Sequence, residues 1–374
     1  MITALGVTLL AAPLAACSTS KAGPSRGAAS ATAAADSATA SASVGPQVQR
    51  VVDGVAANIA EHWPYMNTVW PGMDYTRHVL VLLKIDEQLA PQTAWAIDTK
   101  GARVLKAEEY KDLPVPAPMS YEQVKSFDDR PSLVMSFDDE TVAQADQIDF
   151  QISELYRTAT HELVHFYYQD EDIKAEGQAD GPSNSRTTDY PLDPNPRVMR
   201  KMIHHRLAQA YAEPDQRATH LAHAKHWNDM WESTYSADAA KIRVTDIVEG
   251  TARYCENLGA IVRADLSGDE NRKLRTEMIG EDDFIPKSAE VESYELGYVA
   301  GIVLDETNPS WKDGFYGTGK TLVDLALDGV TAQADEEDPA IRSVVDQKIS
   351  SLNNDAADDI RALDEAEADA SIVG

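Results

Sequence analysis

The sequence predicts an α+β fold that is mainly helical, with a small sheet towards the N-terminal side. Three observations carry that expectation. Apolar runs of strand length lie between residues 78 and 137. Beyond them the apolar residues recur at helical spacing instead. Strands grouped ahead of helices make an α+β order, whereas an α/β chain alternates the two. The 374 residues suffice for one large or two ordinary domains with a sizeable core.

Taken in order, residues 1–16 are an apolar run ending in small residues, too short for a permanent bilayer span and suited to an export signal. Leu14-Ala15-Ala16-Cys17 resembles the bacterial lipobox, which implies lipidation at Cys17 and a protein anchored in the cell membrane, facing outside the cytoplasm. No Lys or Arg precedes the apolar run, and ordinary cleavage with loss of Cys17 is the alternative. Residues 18–48 are almost entirely Ala, Ser, Thr and Gly and read as a flexible tether, because they cannot bury enough surface to order themselves. Globular composition runs over 49–332. It opens with a helix over Val51–Ile59 and a buried strand over His78–Ile85. A hairpin follows, Thr93–Ile97 and Ala102–Lys106 around Asp98-Thr99-Lys100-Gly101, and then a fourth strand, Ser132–Phe137. Residues 170–196, rich in Asp, Gly, Pro, Asn and Ser, read as a loop over a cleft. Helices are expected over Arg197–Ala212 and Arg217–Ser233, and residues 333–374 form an acidic, helical tail.

The 62 acidic and 33 basic side chains give a formal net charge of −29, which disfavours nucleic acid as a partner and favours solubility. With only two cysteines, Cys17 and Cys255, neither a disulfide framework nor a thiolate zinc site is available.

Chemistry concentrates at Thr160-His161-Glu162-Leu163-Val164-His165. The pattern H-E-x-x-H on a helix sets two imidazoles one turn apart with a carboxylate between them. Two neutral nitrogens chelate one zinc ion, and the glutamate is placed to act as general base towards a water. Ile148, Ile152, Leu155, Ala159, Leu163 and Phe166 form one apolar stripe, and the histidines fall opposite it with Glu154, Thr158 and Asp172. Histidines that served only as core packing would lie on the stripe.

A catalytic zinc needs a third protein ligand. Two Glu-Gly pairs offer one, at Glu176 and Glu249. Glu176 sits in the loop-like segment with no helix to hold it. Glu249 belongs to a helix striped by Val244, Ile247, Val248, Thr251, Cys255, Leu258 and Val262, and it lies opposite that stripe beside Arg253 and Glu256. Glycine in a helix interior costs about 1 kcal/mol, so Gly250 marks a close approach by another backbone. Glu249 is therefore preferred.

His161-Glu162-x-x-His165, followed by Glu249 within Val248-Glu249-Gly250-Thr251-Ala252-Arg253-Tyr254, resembles the gluzincin metallopeptidases, the thermolysin-like clan. It is similar in particular to bacterial exported proteins with a long helical insert before an E-G-x-A-x-Y helix. The resemblance implies a zincin-like catalytic domain over 49–332, one zinc ion on His161, His165 and Glu249, and Glu162 as base. Two departures stand out: the stretch from His165 to Glu249 is far longer than in thermolysin, and Arg253 occupies the place of the aspartate in the family's E-x-x-x-D. Tyr294 and Tyr298, on a helix with Gly297 and Gly301, are the candidates to stabilise an oxyanion, as a tyrosine does in some gluzincins.

Two further patterns are weaker. His220, His223 and His226 sweep too far round a helix to share one ion. Gly314 to Thr321 matches the P-loop spelling around Lys320, but Asp305–Asp313 cannot be the buried strand that motif requires, so it reads as a turn capping a helix. The expected function is a membrane-tethered zinc metallopeptidase acting on peptide or protein substrates, with no nucleotide as partner. The rivals are a non-catalytic exported lipoprotein that binds a ligand or partner and holds a structural zinc and, resting on the Gly314–Thr321 match alone, an NTPase whose nucleotide binding depends on Lys320.

Overall fold

A computed structural model describes residues 45–147, 153–169, 192–263, 267–280 and 289–372. The signal-like run, Cys17, nearly all of the tether, Glu176, Asp172, Ile148 and Ile152 lie outside the described residues, as does most of the loop expected over 170–196. The fold is mainly helical with one five-stranded mixed sheet.

Helix α1, Pro46–His62, starts inside the stretch expected to be tether. Proline at its first turn brings a pre-set φ suited to a helix start. Val52, Val55, Ile59 and His62 then bury one face, and the tether boundary moves back accordingly.

The sheet has the order β3-β2-β1-β5-β4. Strands β1 (Val79–Ile85), β2 (Pro91–Asp98) and β3 (Gly101–Val104) form an antiparallel meander, and β5 (Arg130–Phe137) runs parallel to β1. The hairpin turn is as expected: Lys100 N–H donates to Asp98 Oδ1 at 2.8 Å, and Gly101 takes a φ of 122° that side chains disfavour. Strand β1 is buried along its whole length. Leu80 and Leu82 face the main core, whereas Val79, Val81 and Leu83 join Leu105 and Phe127 on the other face. Such two-sided burial explains the apolar run Val79–Leu83.

The sequence reading missed β4, Tyr121–Phe127, which pairs antiparallel with β5 at the sheet edge. Its exposed, mostly polar residues carry no alternation. An edge strand needs none, and polarity there discourages pairing with other chains.

After α2 (Asp139–Gln147) comes α3, Glu154–Tyr167, which carries the two histidines. The described part of the insert holds α4 (Pro194–Ala212) and α5 (Arg217–Thr234). Helix α4 begins earlier than expected because Asp193 caps it, accepting from the Asn195 N–H at 2.9 Å. Then follow α6 (Ser236–Gly259), α7 (Gly268–Glu277), α8 (Ala289–Thr307), α9 (Leu322–Ala326) and α10 (Pro339–Ile372).

Helix α6 corrects one expectation. Its apolar stripe predicts packing by one face, yet from Thr245 to Gly259 few of its side chains are left uncovered. Helices α3, α5, α8 and α9 all pack against it. Its closest neighbour is α8: a Cβ placed on Gly297 would lie 2.1 Å from Gly250 Cα, and one on Gly301 would strike the Tyr254 ring at 2.3 Å. The close approach inferred from Gly250 is thus a backbone-to-backbone crossing with α8. A buried ion network fastens the same elements to α4, with Arg200 paired to Asp246 at 2.7 Å and to Glu292 at 2.9 Å.

The glycine-rich stretch after α8 is a turn. Gly314 and Gly319 adopt positive φ, and Thr321 and Asp324 exchange hydrogen bonds of 3.0 and 2.9 Å in a capping box at the start of α9. The tail is not separate from the domain. Val345 and Ile349 of α10 belong to the main core, and Asp335 accepts from Arg206 and Trp227.

Two glycine substitutions separate these effects. Gly297→Ala should lower stability by about 1–3 kcal/mol or more through overpacking. Gly54→Ala, on the exposed side of α1 with nothing within 4 Å of its added methyl, should raise stability by roughly 0.5–1 kcal/mol. Denaturant unfolding of both variants beside the parent checks the pair, and a stable Gly297→Ala would contradict the tight crossing.

Candidate metal centre

Helix α3 is held by its buried face. Leu155, Ala159 and Leu163 enter the core, Trp63 Nε1 donates to Thr160 Oγ1 at 3.0 Å, and Tyr156 donates to the Gly259 carbonyl at 2.8 Å. These contacts fix the rotation of α3 so that His161 and His165 turn towards α6. The site is not a solvated surface: His161 is 5% exposed and Glu162 2%, because α6 and α8 cover what the sequence left as an open polar face.

Glu249 arrives from α6. Its Oε2 lies 3.2 Å from His161 Nε2 and 3.3 Å from His165 Nε2, and the two Nε2 atoms are 2.9 Å apart. Among the described residues these three side chains form the one cluster able to hold a metal ion. Ligand atoms on a tetrahedral zinc with bonds of 2.0–2.1 Å stand about 3.3 Å apart, close to the observed spacing.

The outer partners settle which lone pairs face inward. Gln169 Nε2 donates to the Val248 carbonyl at 2.6 Å and to Thr251 Oγ1 at 3.0 Å, so its Oε1 is the atom facing His165 Nδ1 at 2.8 Å. An amide oxygen only accepts; His165 therefore carries its proton on Nδ1 and turns the Nε2 lone pair inward. Glu256 Oε2 stands 3.0 Å from His161 Nδ1 and imposes the same tautomer. In the neutral state three acceptors converge with no proton between them, an arrangement that a cation or added protons must fill.

Electrostatics agree. Burial opposes charge on His161, but hydrogen bonds to Glu249 and Glu256 outweigh it and take the imidazolium up to about 10. Burial works against His165 as well, and Glu249 again prevails and raises it. For Glu249 burial acts upward, yet the two imidazoles hold its carboxyl below the ordinary range. Without a metal, then, a proton on His161 balances the carboxylates.

Glu162 points into the same space. Burial raises its pKa against the pull of both imidazoles, Tyr121 of β4 hydrogen-bonds to its carboxylate, and its Oε2 is buried with no hydrogen-bond partner. Of the two candidate tyrosines the structure brings one to the centre. The Tyr294 ring stands edge-on to His161 at 5.5 Å. Tyr298 instead donates its hydroxyl to the Arg275 carbonyl at 2.9 Å and is fully buried. Cys255 lies in the core. His220 faces Glu213 and His223 faces Asp335, so those two do not converge.

Sequence reasoning missed Gln169, Tyr121 and the role of Glu256. Glu256 left a signal: two turns past Glu249, it falls on the same helix face. Gln169 left none, since it lies just past the end of α3.

No known family model matches this chain, and no curated protein or solved structure is similar to it. The site is therefore read from its own geometry.

The charge pattern gives a pH signature for metal-free protein. His161, raised from 6.5 to about 10, contributes stability that is complete below pH 6.5 and disappears as pH climbs through about 10. Glu249, lowered from 4.5, contributes stability that is complete above 4.5 and is lost as pH falls below it. Denaturant midpoints of chelator-treated protein should accordingly be highest between about pH 4.5 and 6.5 and decline towards pH 10. A midpoint that rose steadily over that alkaline range would contradict the protonated pair.

Proposed function

We propose that the chain is a zinc metallopeptidase of gluzincin type with a zincin-like catalytic domain, acting outside the cytoplasm from a lipid anchor at Cys17. One observation carries the reading: His161, His165 and Glu249 converge from two helices, and beside them stands the buried carboxylate of Glu162 with one oxygen unpartnered. Zinc, when bound there, supplies Lewis acidity towards a peptide carbonyl and lowers the pKa of water.

The chain's own residues supply the rest. His161, His165 and Glu249 would hold the ion, and three protein donors are the number a catalytic zinc uses. Glu162, raised by burial, is the stronger base for it: it takes a proton from water and returns it to the leaving amine. Tyr121 hydrogen-bonds to its carboxylate and leaves Oε2 buried without a hydrogen-bond partner. Tyr294, beside His161, is the donor to the oxyanion, and Tyr298 packs the helix behind it. The substrate is a peptide or protein, and the net charge of −29 argues against nucleic acid. The anchor is proposed on the lipobox-like Cys17; among the described residues no helix is long and apolar enough to cross a membrane.

A non-catalytic centre would use a fourth protein ligand, whereas the described cluster has three. The purified chain should carry about one zinc, and His161→Ala and Glu249→Ala should each lose it. Glu162→Gln should keep the metal while peptide hydrolysis falls by about 10²–10⁴-fold. Cleavage by that variant at the parental rate would refute the mechanism.

A further inference from the structure

We infer that Glu256 is the orienting carboxylate of the metal centre, a positioning residue that fixes His161 for coordination while Arg157 and Arg253 hold it still. The inference rests on the metal-centre reading and adds a residue outside the ligand set.

The argument is geometric. Glu256 Oε2 stands 3.0 Å from His161 Nδ1. Its Oε1 accepts from Arg157 Nε at 2.8 Å and from Arg253 Nη1 at 2.8 Å. One oxygen is therefore given to the ligand histidine and the other to two guanidiniums, and the carboxylate cannot rotate without breaking all three contacts. Both arginines are anchored at their far ends, Arg157 on Asn257 Oδ1 at 2.9 Å and Arg253 on Glu295 Oε1 at 3.1 Å. Glu295 in turn accepts from the Gly280 N–H at 3.1 Å. The clamp thus reaches from α3 through α6 to α8 and gives His161 a fixed ring plane.

A flexible acid could let the imidazole turn or change tautomer, and a turned ring would point its proton at the metal. Carboxylates that accept from the distal nitrogen of a metal-bound histidine do this work generally, and losing one lowers metal affinity. A purely structural ion pair makes a different statement: its loss lowers stability but leaves the affinity of each folded molecule unchanged.

The test uses the full chain with Zn2+ and Co2+ as probes, in competition with a chromophoric chelator at one pH. Glu256→Gln should weaken binding of both ions by about 10–100-fold in molecules that keep the parental circular dichroism, and Glu256→Asp, which keeps the charge, should weaken it less. Binding by Glu256→Gln within about twofold of the parent overturns the inference while leaving the metal centre intact. Should the variants fail to fold, 15N spectra of histidine-labelled, zinc-loaded parent decide instead. His161 is expected to coordinate through Nε2 with a strongly downfield Nδ1 proton, and coordination through Nδ1 overturns the role of Glu256. A parent that takes up neither ion overturns the centre itself, and Glu256's role with it.

Discussion

Helix α6 lies between α3 and α8, and at both contacts glycine lets its neighbours come close. Gly250 meets Gly297 on one side, and Gly259 meets Met66 and Thr160 on the other. These two positions fix both the depth and the rotation of α6. Glu249, next to Gly250, is carried to within hydrogen-bond distance of both imidazoles as a consequence. A side chain at the crossing would push α6 and α8 apart and displace the carboxylate from the centre. Interiors are packed too densely to absorb such a displacement locally.

Around this crossing the charges are arranged with a deficit of positive ones. Glu162, Glu256 and Glu295 are buried beside the partly buried Glu249, and Arg157 and Arg253 are the guanidiniums beside them. The guanidiniums serve Glu256 and Glu295; Glu249 and Glu162 are left with imidazoles. Buried carboxylates without a cation are costly, so the site either protonates its histidines or takes up a metal. Arg253 stands one turn past Glu249 on α6. The acid that reaches His161 lies one turn further on, and the arginine holds it.

Much of this was legible in the residues. The i, i+4 spacing of His161 and His165 is a statement about helix geometry, and it holds wherever the helix lies. Gly250 announced a close backbone approach, which the crossing with Gly297 meets. The strand His78–Ile85 and its hairpin were readable because a doubly buried strand is mostly apolar and Gly101 supplies the turn. Less legible were the features that depend on what lies opposite. Strand β4 has no apolar alternation because it is an edge. Tyr294 and Tyr298 are alike in sequence, one turn apart, and only their neighbours separate them. Helix α6 looked one-sided because charged residues on its second face are paired internally and so can be buried.

By itself the sequence determined the ligand chemistry and the local backbone: which imidazoles share a helix face, which glutamate stands between them, and where glycine is required. Local spacing suffices for this, since α-helical periodicity is set by the backbone alone. The tertiary structure decided that Glu249 meets those imidazoles, that Glu256 and Gln169 set their tautomers, and that Tyr294 but not Tyr298 faces the centre. Each of these pairs residues distant in the chain, and only the packing of helices, through contacts of a few ångströms, selects among the acids and tyrosines that the sequence offers on equal terms.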